Sequence, residues 1–183
     1  MPATRSFQNF GEHHSLRAGR ITVEREEDSA PVEMLAALCD ARGWSYDYAG
    51  DDEIVAEVQG SWASYQLRGI WRGEDHVLQL ICLPEIRIPD DKRAPMFEVL
   101  ALVNEQMWLG HFDVWSNGMV LLYRHALMLG DEGLLSLSQA QTAVEAAIDE
   151  CDRFYPAFQF ILWGDKSPAE ALASALVDAA GEA

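Results

Sequence analysis

Apolar and polar residues recur with two different periods along this chain, and the switches between them delimit the expected elements. A first helix is expected from Pro31 to Arg42: Val32, Leu35, Ala36 and Cys39 share one face at helical spacing. Proline suits the first helical turn, and Gly43 suits a C-terminal cap. The period then drops to two. Trp44-Ser-Tyr-Asp-Tyr-Ala49 alternates aromatic and polar residues, and Asp51-Asp52 turns into Ile54-Val-Ala-Glu-Val58, where Ile54, Ala56 and Val58 share a face. Trp62 to Trp71 reads as a third strand, with Tyr65, Leu67 and Gly69 opposed to Gln66, Arg68 and Ile70. His76 to Leu83 reads as a fourth, with Leu78, Leu80 and Cys82 on one face. Short strands with turns about every ten residues predict an antiparallel meander.

Pro89-Asp-Asp-Lys92 is a helix entry in which Asp90 or Asp91 is placed to cap free N–H groups. Phe97, Leu100, Ala101, Met107 and Trp108 mark the apolar stripe of a second helix running through Asn104, and Gly110 separates it from a hairpin. In that hairpin, Trp108 to Leu129, the strands are joined by Asn117-Gly118, the dipeptide best suited to two consecutive positive φ values. With these two residues as the loop, Trp115 faces Val120, Asp113 faces Leu122 and His111 faces Arg124. Phe112, Val114, Met119, Leu121 and Tyr123 then form the core side. His111, Asp113, Trp115, Val120, Leu122 and Arg124 form the other, with Asp113 reaching Arg124 diagonally. Ser136-Leu-Ser-Gln139 has capping-box spacing and opens a third helix with Ala140, Val144, Ala147, Ile148 and Cys151 on one face. Pro156 must kink or restart it. Phe158, Ile161 and Leu162 continue the apolar face, Gly164 closes it, and Ser167-Pro-Ala-Glu170 opens a last helix to Ala180.

A length of 183 residues with 49% apolar content suits one α+β domain over residues 29–183, preceded by a polar, unpatterned and flexible leader over 1–28. Within that leader Glu12-His13-His14 is read as solvated rather than metal-binding. Thirteen basic against thirty acidic residues give a net charge of −17, which repels nucleic acid and anionic membranes. The charge serves solubility, and it would favour a basic or amphipathic client segment. Cys39, Cys82 and Cys151 lie far apart within apolar runs and read as reduced, buried thiols. No secretory signal and no bilayer-length apolar run are seen, so the expected location is cytoplasmic.

His111, Asp113 and Arg124 on one strand face could form an acid–base or anion site, but a solvent-side ion pair is the commoner arrangement. Together with Trp115 and Leu122 they resemble a protein-binding surface more closely, since aromatics and arginine are enriched there. Cys151 on an apolar helix face reads as packing. Asp152 and Arg153 point in different directions and could bridge to other elements, Asp152 for instance to Arg124. No nucleophile elbow, phosphate loop, dinucleotide fingerprint, zinc-protease helix or paired Cys-x-x-Cys occurs, so no catalytic residue, metal ligand or cofactor is assigned.

Asn104-x-x-Met-Trp-Leu-Gly-His-Phe-Asp113, the Arg124-His125 strand, and Cys151-Asp-Arg-Phe-Tyr-Pro-Ala-Phe-Gln-Phe160 with Trp163-Gly164 resemble the YbjN-like family of bacterial sensory transduction regulators. The resemblance covers roughly residues 29–178. It implies a fold like that of type III secretion chaperones: an antiparallel sheet of about five to six strands with helices packed on it. It implies no enzymatic activity. What that fold suggests is recognition of a protein or peptide client by a sheet face or groove, with a homodimer among the implied states. The leading expectation is therefore a non-enzymatic, cytoplasmic protein-binding module of regulatory or chaperone-like role. A small-molecule- or metal-dependent activity on the outer face of the 108–129 hairpin is the alternative.

Overall fold

Proline at the head and glycine at the tail of the first apolar stripe produce α1 (Pro31–Arg42), which stops where Gly43 turns left-handed at φ 69°. The computed structural model describes residues 29–164 and 166–181, so the expected leader, with Glu12-His13-His14, lies outside the described residues. Six strands follow: β1 (Tyr46–Gly50), β2 (Glu53–Gln59), β3 (Ser64–Arg72), β4 (Val77–Leu83), β5 (His111–Trp115) and β6 (Val120–Met128). They form one antiparallel sheet in the order β1-β2-β3-β4-β6-β5. Between β4 and β5 runs α2 (Arg93–Glu105), entered through a 3-10 turn at Asp90–Lys92. After β6 come α3 (Leu137–Trp163) and α4 (Pro168–Gly181). The architecture is α+β: a sheet with four helices.

The alternation read in the sequence selects the helix-facing side. Ile54, Ala56 and Val58 of β2, Tyr65 and Leu67 of β3, and Leu78, Leu80 and Cys82 of β4 all lie in the core. Gly69 continues this set because a Cβ there would collide with the Leu35 side chain of α1. Phe112 of β5 packs edge-on to Phe154 and Phe158 of α3, at centroid separations of 6.0 and 4.9 Å. Both capping boxes form. The Ser136 hydroxyl accepts from the Gln139 N–H, and the Ser167 hydroxyl accepts from that of Glu170.

Two helical expectations are corrected. The buried stripe of α2 is Met96, Val99, Leu100 and Val103, whereas Phe97 is half exposed and Ala101 exposed. Met107 and Trp108 lie beyond the helix end at Glu105, and Trp108 is 97% exposed. Two stripes one residue apart share Leu100, and the sheet accepts the one rich in β-branched residues. Neither Asp90 nor Asp91 caps α2; Asp90 pairs with Arg93 at 2.9 Å instead.

Nor does α3 restart at Pro156: it runs unbroken for 27 residues. Proline there supplies no N–H to the Asp152 carbonyl, and the freed carbonyl accepts the Trp62 indole N–H at 3.0 Å. The Asp152 carboxylate accepts the Ser61 N–H (2.8 Å), the Ser61 hydroxyl (2.9 Å) and the Tyr65 hydroxyl (2.5 Å). Burial first, and this hydrogen bond second, push the Tyr65 pKa far above its ordinary value, so the phenol remains a donor. Asp152 therefore ties α3 to the β2–β3 turn and not to Arg124. Gly60 fits the clasp because a Cβ would meet both Tyr65 and Asp152. Asp152→Ala should lower unfolding free energy by about 2 kcal/mol, since it strands the buried Tyr65 phenol, while the exposed Ser61 N–H can turn to water. Trp62→Phe, which removes one donor, should cost about 1 kcal/mol, both read by urea denaturation.

Candidate functional site on the open face of the sheet

The hairpin pairs as its turn signal predicts: His111 with Arg124, Phe112 with Tyr123, Asp113 with Leu122, Val114 with Leu121 and Trp115 with Val120. Its turn differs in detail. Positive φ falls on Gly118 (85°) and Met119 (51°) rather than on Asn117 and Gly118, and Ser116 to Met119 are unpaired turn residues. The cause lies on the far side of β6. The Met119 carbonyl accepts the Ile88 N–H at 2.8 Å, and the Leu121 N–H donates to the Ile86 carbonyl at 2.9 Å. A segment distant in sequence thus sets the turn.

That segment continues β4 across a bulge. From the pair Cys82–Tyr123 to the bridge Arg87–Val120, one strand advances five residues while the other advances three. The two extra residues are Pro84 and Glu85. Pro84 has no N–H for the ladder, and Glu85 adopts φ 58°, left-handed for a non-glycine residue. The bulge turns Glu85 out to solvent while Ile86 and Ile88 return to the core.

All four helices pack on one side of the sheet, and the other side has a core of its own. Ile81 and Leu83 of β4 and Leu122 of β6 are buried there, flanked by Ile70, Trp115 and Val120. Leu122, expected at the surface, is fully buried as part of this floor. The signal was present in Leu80-Ile-Cys-Leu83, an apolar run without alternation, which marks a strand buried on both faces. No helix among the described residues supplies the cover. The Arg68 guanidinium of β3 lies 5.8 Å from the centroid of the Trp115 ring of β5, so two long side chains roof the two strands between them. Arg68 is also ion-paired with Glu53.

Arg124 follows in the same row, between Ile81 and His111. It meets the Asp113 carboxylate at 3.6 Å, the expected diagonal pair, and its buried Nε has no hydrogen-bond partner. Asp113 also accepts the Val114 N–H at 2.8 Å. The Asn104 amide both accepts the Phe112 N–H (2.8 Å) and donates to the Phe112 carbonyl (3.0 Å). Side chains therefore occupy the backbone of edge strand β5, blunting it against a further strand. His111 is exposed at this edge. Beside Trp115 lies an open cleft of about 420 Å³ lined by Gln66, Leu83, Glu85, Arg87, Trp115 and Val120. Arg87 is exposed and makes no salt bridge among the described residues. Sequence reasoning did not single out Arg68, Glu85 or Arg87, because their neighbours come from other strands.

Among the described residues no group of three His, Cys, Asp or Glu side chains could hold a metal ion, and Asp113 is committed to Arg124 and Val114. Cys39, Cys82 and Cys151 are buried and free, and burial drives the Cys151 pKa well up, so its thiol is no nucleophile. No helix among the described residues is long and apolar enough to cross a membrane.

In comparison with known proteins, the YbjN family, described as "Putative bacterial sensory transduction regulator", matches residues 31–160. That span runs from α1 through most of α3 and contains every open-face residue named above. Among solved structures, the crystal structure of YbjN from E. coli, described as a putative transcription regulator, aligns at 10% sequence identity with a TM-score of 0.45. The alignment covers 82% of this chain and 92% of that one. No curated protein matches.

On the helix-facing side, β6 carries His125, whose pKa is lowered by burial. Its folded value lies below the unfolded value of about 6.5. As pH falls through that region the unfolded chain takes up a proton that the fold refuses, so stability declines. Asp149 and Glu150 act oppositely: burial raises their pKa values, so protonation nearer the carboxylate range favours the fold. Urea denaturation between about pH 7.5 and 5.5 should show a loss of stability that His125→Gln reduces.

Proposed function

We propose that this chain, which belongs to the YbjN family, is a non-enzymatic regulatory module that binds a client protein through the open face of its sheet. The family description supports the regulatory part of this reading. One observation carries the binding part: among the described residues, the second apolar cluster, Ile81, Leu83 and Leu122, is roofed by Trp115 and Arg68 without a helix, and it adjoins an open cleft whose Arg87 makes no salt bridge. Aromatic and arginine side chains over an apolar floor are the composition of interface hot spots. His111, Asp113 and Arg124 form the polar margin of this surface, Trp115 its anchor, and Leu122 its support from below. The role is regulatory or chaperone-like, and reduced, buried cysteines suit a cytoplasmic setting.

Site-specific photo-crosslinking in cells tests the surface. A crosslinker at exposed Gln66, beside the cleft, should give a discrete adduct, whereas one at exposed Glu98 on α2 should not. Trp115→Ala should abolish the Gln66 adduct, and Arg87→Ala, which alters an exposed unpaired side chain, should weaken it. Adducts confined to the helical side, or a Gln66 adduct indifferent to both substitutions, would overturn the proposal.

A further inference from the structure

The open face is chemically graded from one side to the other. Its apolar and aromatic half lies on β4, β6 and β5. Its β1–β3 half is acidic. Asp47 pairs with Val55, which pairs with Arg68; Glu57 pairs with Gln66, which pairs with Leu83. Outward-facing positions in these rows therefore run from carboxylates to the apolar floor. An open cleft of about 270 Å³ there includes Ser45, Asp47, Glu57, Gln66 and Glu85 in its lining. Gln66 and Glu85 also line the Trp115 cleft, so the two clefts adjoin. Asp47, Glu57 and Glu85 are all exposed, and none forms a salt bridge among the described residues. Of the cations on this face, Arg68 and Arg124 are already paired with Glu53 and Asp113, and Arg87 makes no salt bridge among the described residues, so Asp47, Glu57 and Glu85 outnumber it three to one.

From this grading we infer that the client segment is a basic amphipathic peptide crossing the strands, with apolar side chains against Leu83 and Trp115 and lysine or arginine against Asp47, Glu57 and Glu85. The inference rests on the open-face reading above and adds the chemistry of the occupant. Charge complementarity selects it: an anionic segment would meet three unpaired carboxylates in a chain of net charge −17. The geometry sets its length. Five strand steps separate β1 from β5, about 24 Å, which an extended segment of about eight residues spans. Because the segment crosses the strands, side chains rather than a backbone ladder hold it, in keeping with the blunted β5 edge.

Fluorescence anisotropy on the full-length protein tests this with three labelled eight-residue peptides, each with four lysine, serine or glutamate residues followed by four leucines, so that the charged half can meet the acidic strands while the leucine half meets the apolar floor. At about 50 mM salt the lysine peptide should bind at least about tenfold tighter than the glutamate peptide, and the gap should shrink at about 500 mM salt. Asp47→Asn with Glu57→Gln should narrow the gap, whereas Asp131→Asn with Glu132→Gln, an equal charge change in an exposed loop, should leave it. Trp115→Ala should weaken all binding. If the glutamate peptide binds as tightly, or the gap survives loss of Asp47 and Glu57, the basic assignment falls while Trp115 dependence keeps the open-face reading. If Trp115→Ala changes nothing, the open-face reading itself falls. No saturable binding of any peptide up to about 1 mM overturns the inference. So does a dimer by light scattering that Trp115→Ala converts to monomer, which would assign the face to a second copy.

Discussion

One missing hydrogen bond organises this fold. Pro156 leaves the Asp152 carbonyl without its helical donor, and the Trp62 indole of the β2–β3 turn supplies the replacement. The Asp152 side chain then gathers the Ser61 N–H and the hydroxyls of Ser61 and Tyr65. A helix of 27 residues is thereby fastened near its middle to one turn of the sheet. Partly burying a carboxylate is costly unless its oxygens are engaged, and here the engaging donors come from the turn that must dock. With α3 held there, α1, α2 and α4 pack around it on the same side, and no helix among the described residues covers the opposite face.

An uncovered sheet face normally carries polar side chains, yet this one holds Ile81, Leu83 and Leu122 on adjacent strands. Each fully buried aliphatic side chain is worth about 1.5–3 kcal/mol relative to exposure. Covering all three with Trp115 and the aliphatic stem of Arg68 recovers much of that without a further element. The roof consists of side chains, so it can reorient for a partner in a way that packed helices cannot. The bulge at Pro84-Glu85 and the side-chain capping of β5 point the same way. One aims a carboxylate onto the open face, and the other removes the sheet edge as a docking place. For the proposed client binding, both features favour the face over the edge.

Much of the architecture was legible locally. Pro31 and Gly43 bounded α1 to the residue, both capping boxes formed, and Asn117-Gly118 set a hairpin register that the structure reproduces pair by pair. The Asp113–Arg124 diagonal followed from that register alone. These features depend on contacts within a few residues or across one tight turn, where spacing and backbone chemistry leave few options. The α2 stripe was misread because two overlapping apolar faces were available and only the sheet could choose between them. Asp152 was assigned the wrong partner because the Ser61 turn is 91 residues away.

The candidate site divides in the same way. Its polar margin, His111, Asp113 and Arg124, and its anchor, Trp115, could be read from the sequence because one hairpin places all four. Its floor and roof could not. That Leu122 is buried, that Arg68 reaches Trp115, and that Glu85 joins two clefts all follow from the strand order β3-β4-β6-β5 and from a bulge stabilised against β6. Periodicity determined which residues of each strand share a face. Only tertiary structure decided that the opposite face would carry a buried apolar cluster too, because strand order alone brings Ile81, Leu83 and Leu122 together beneath Trp115 and Arg68.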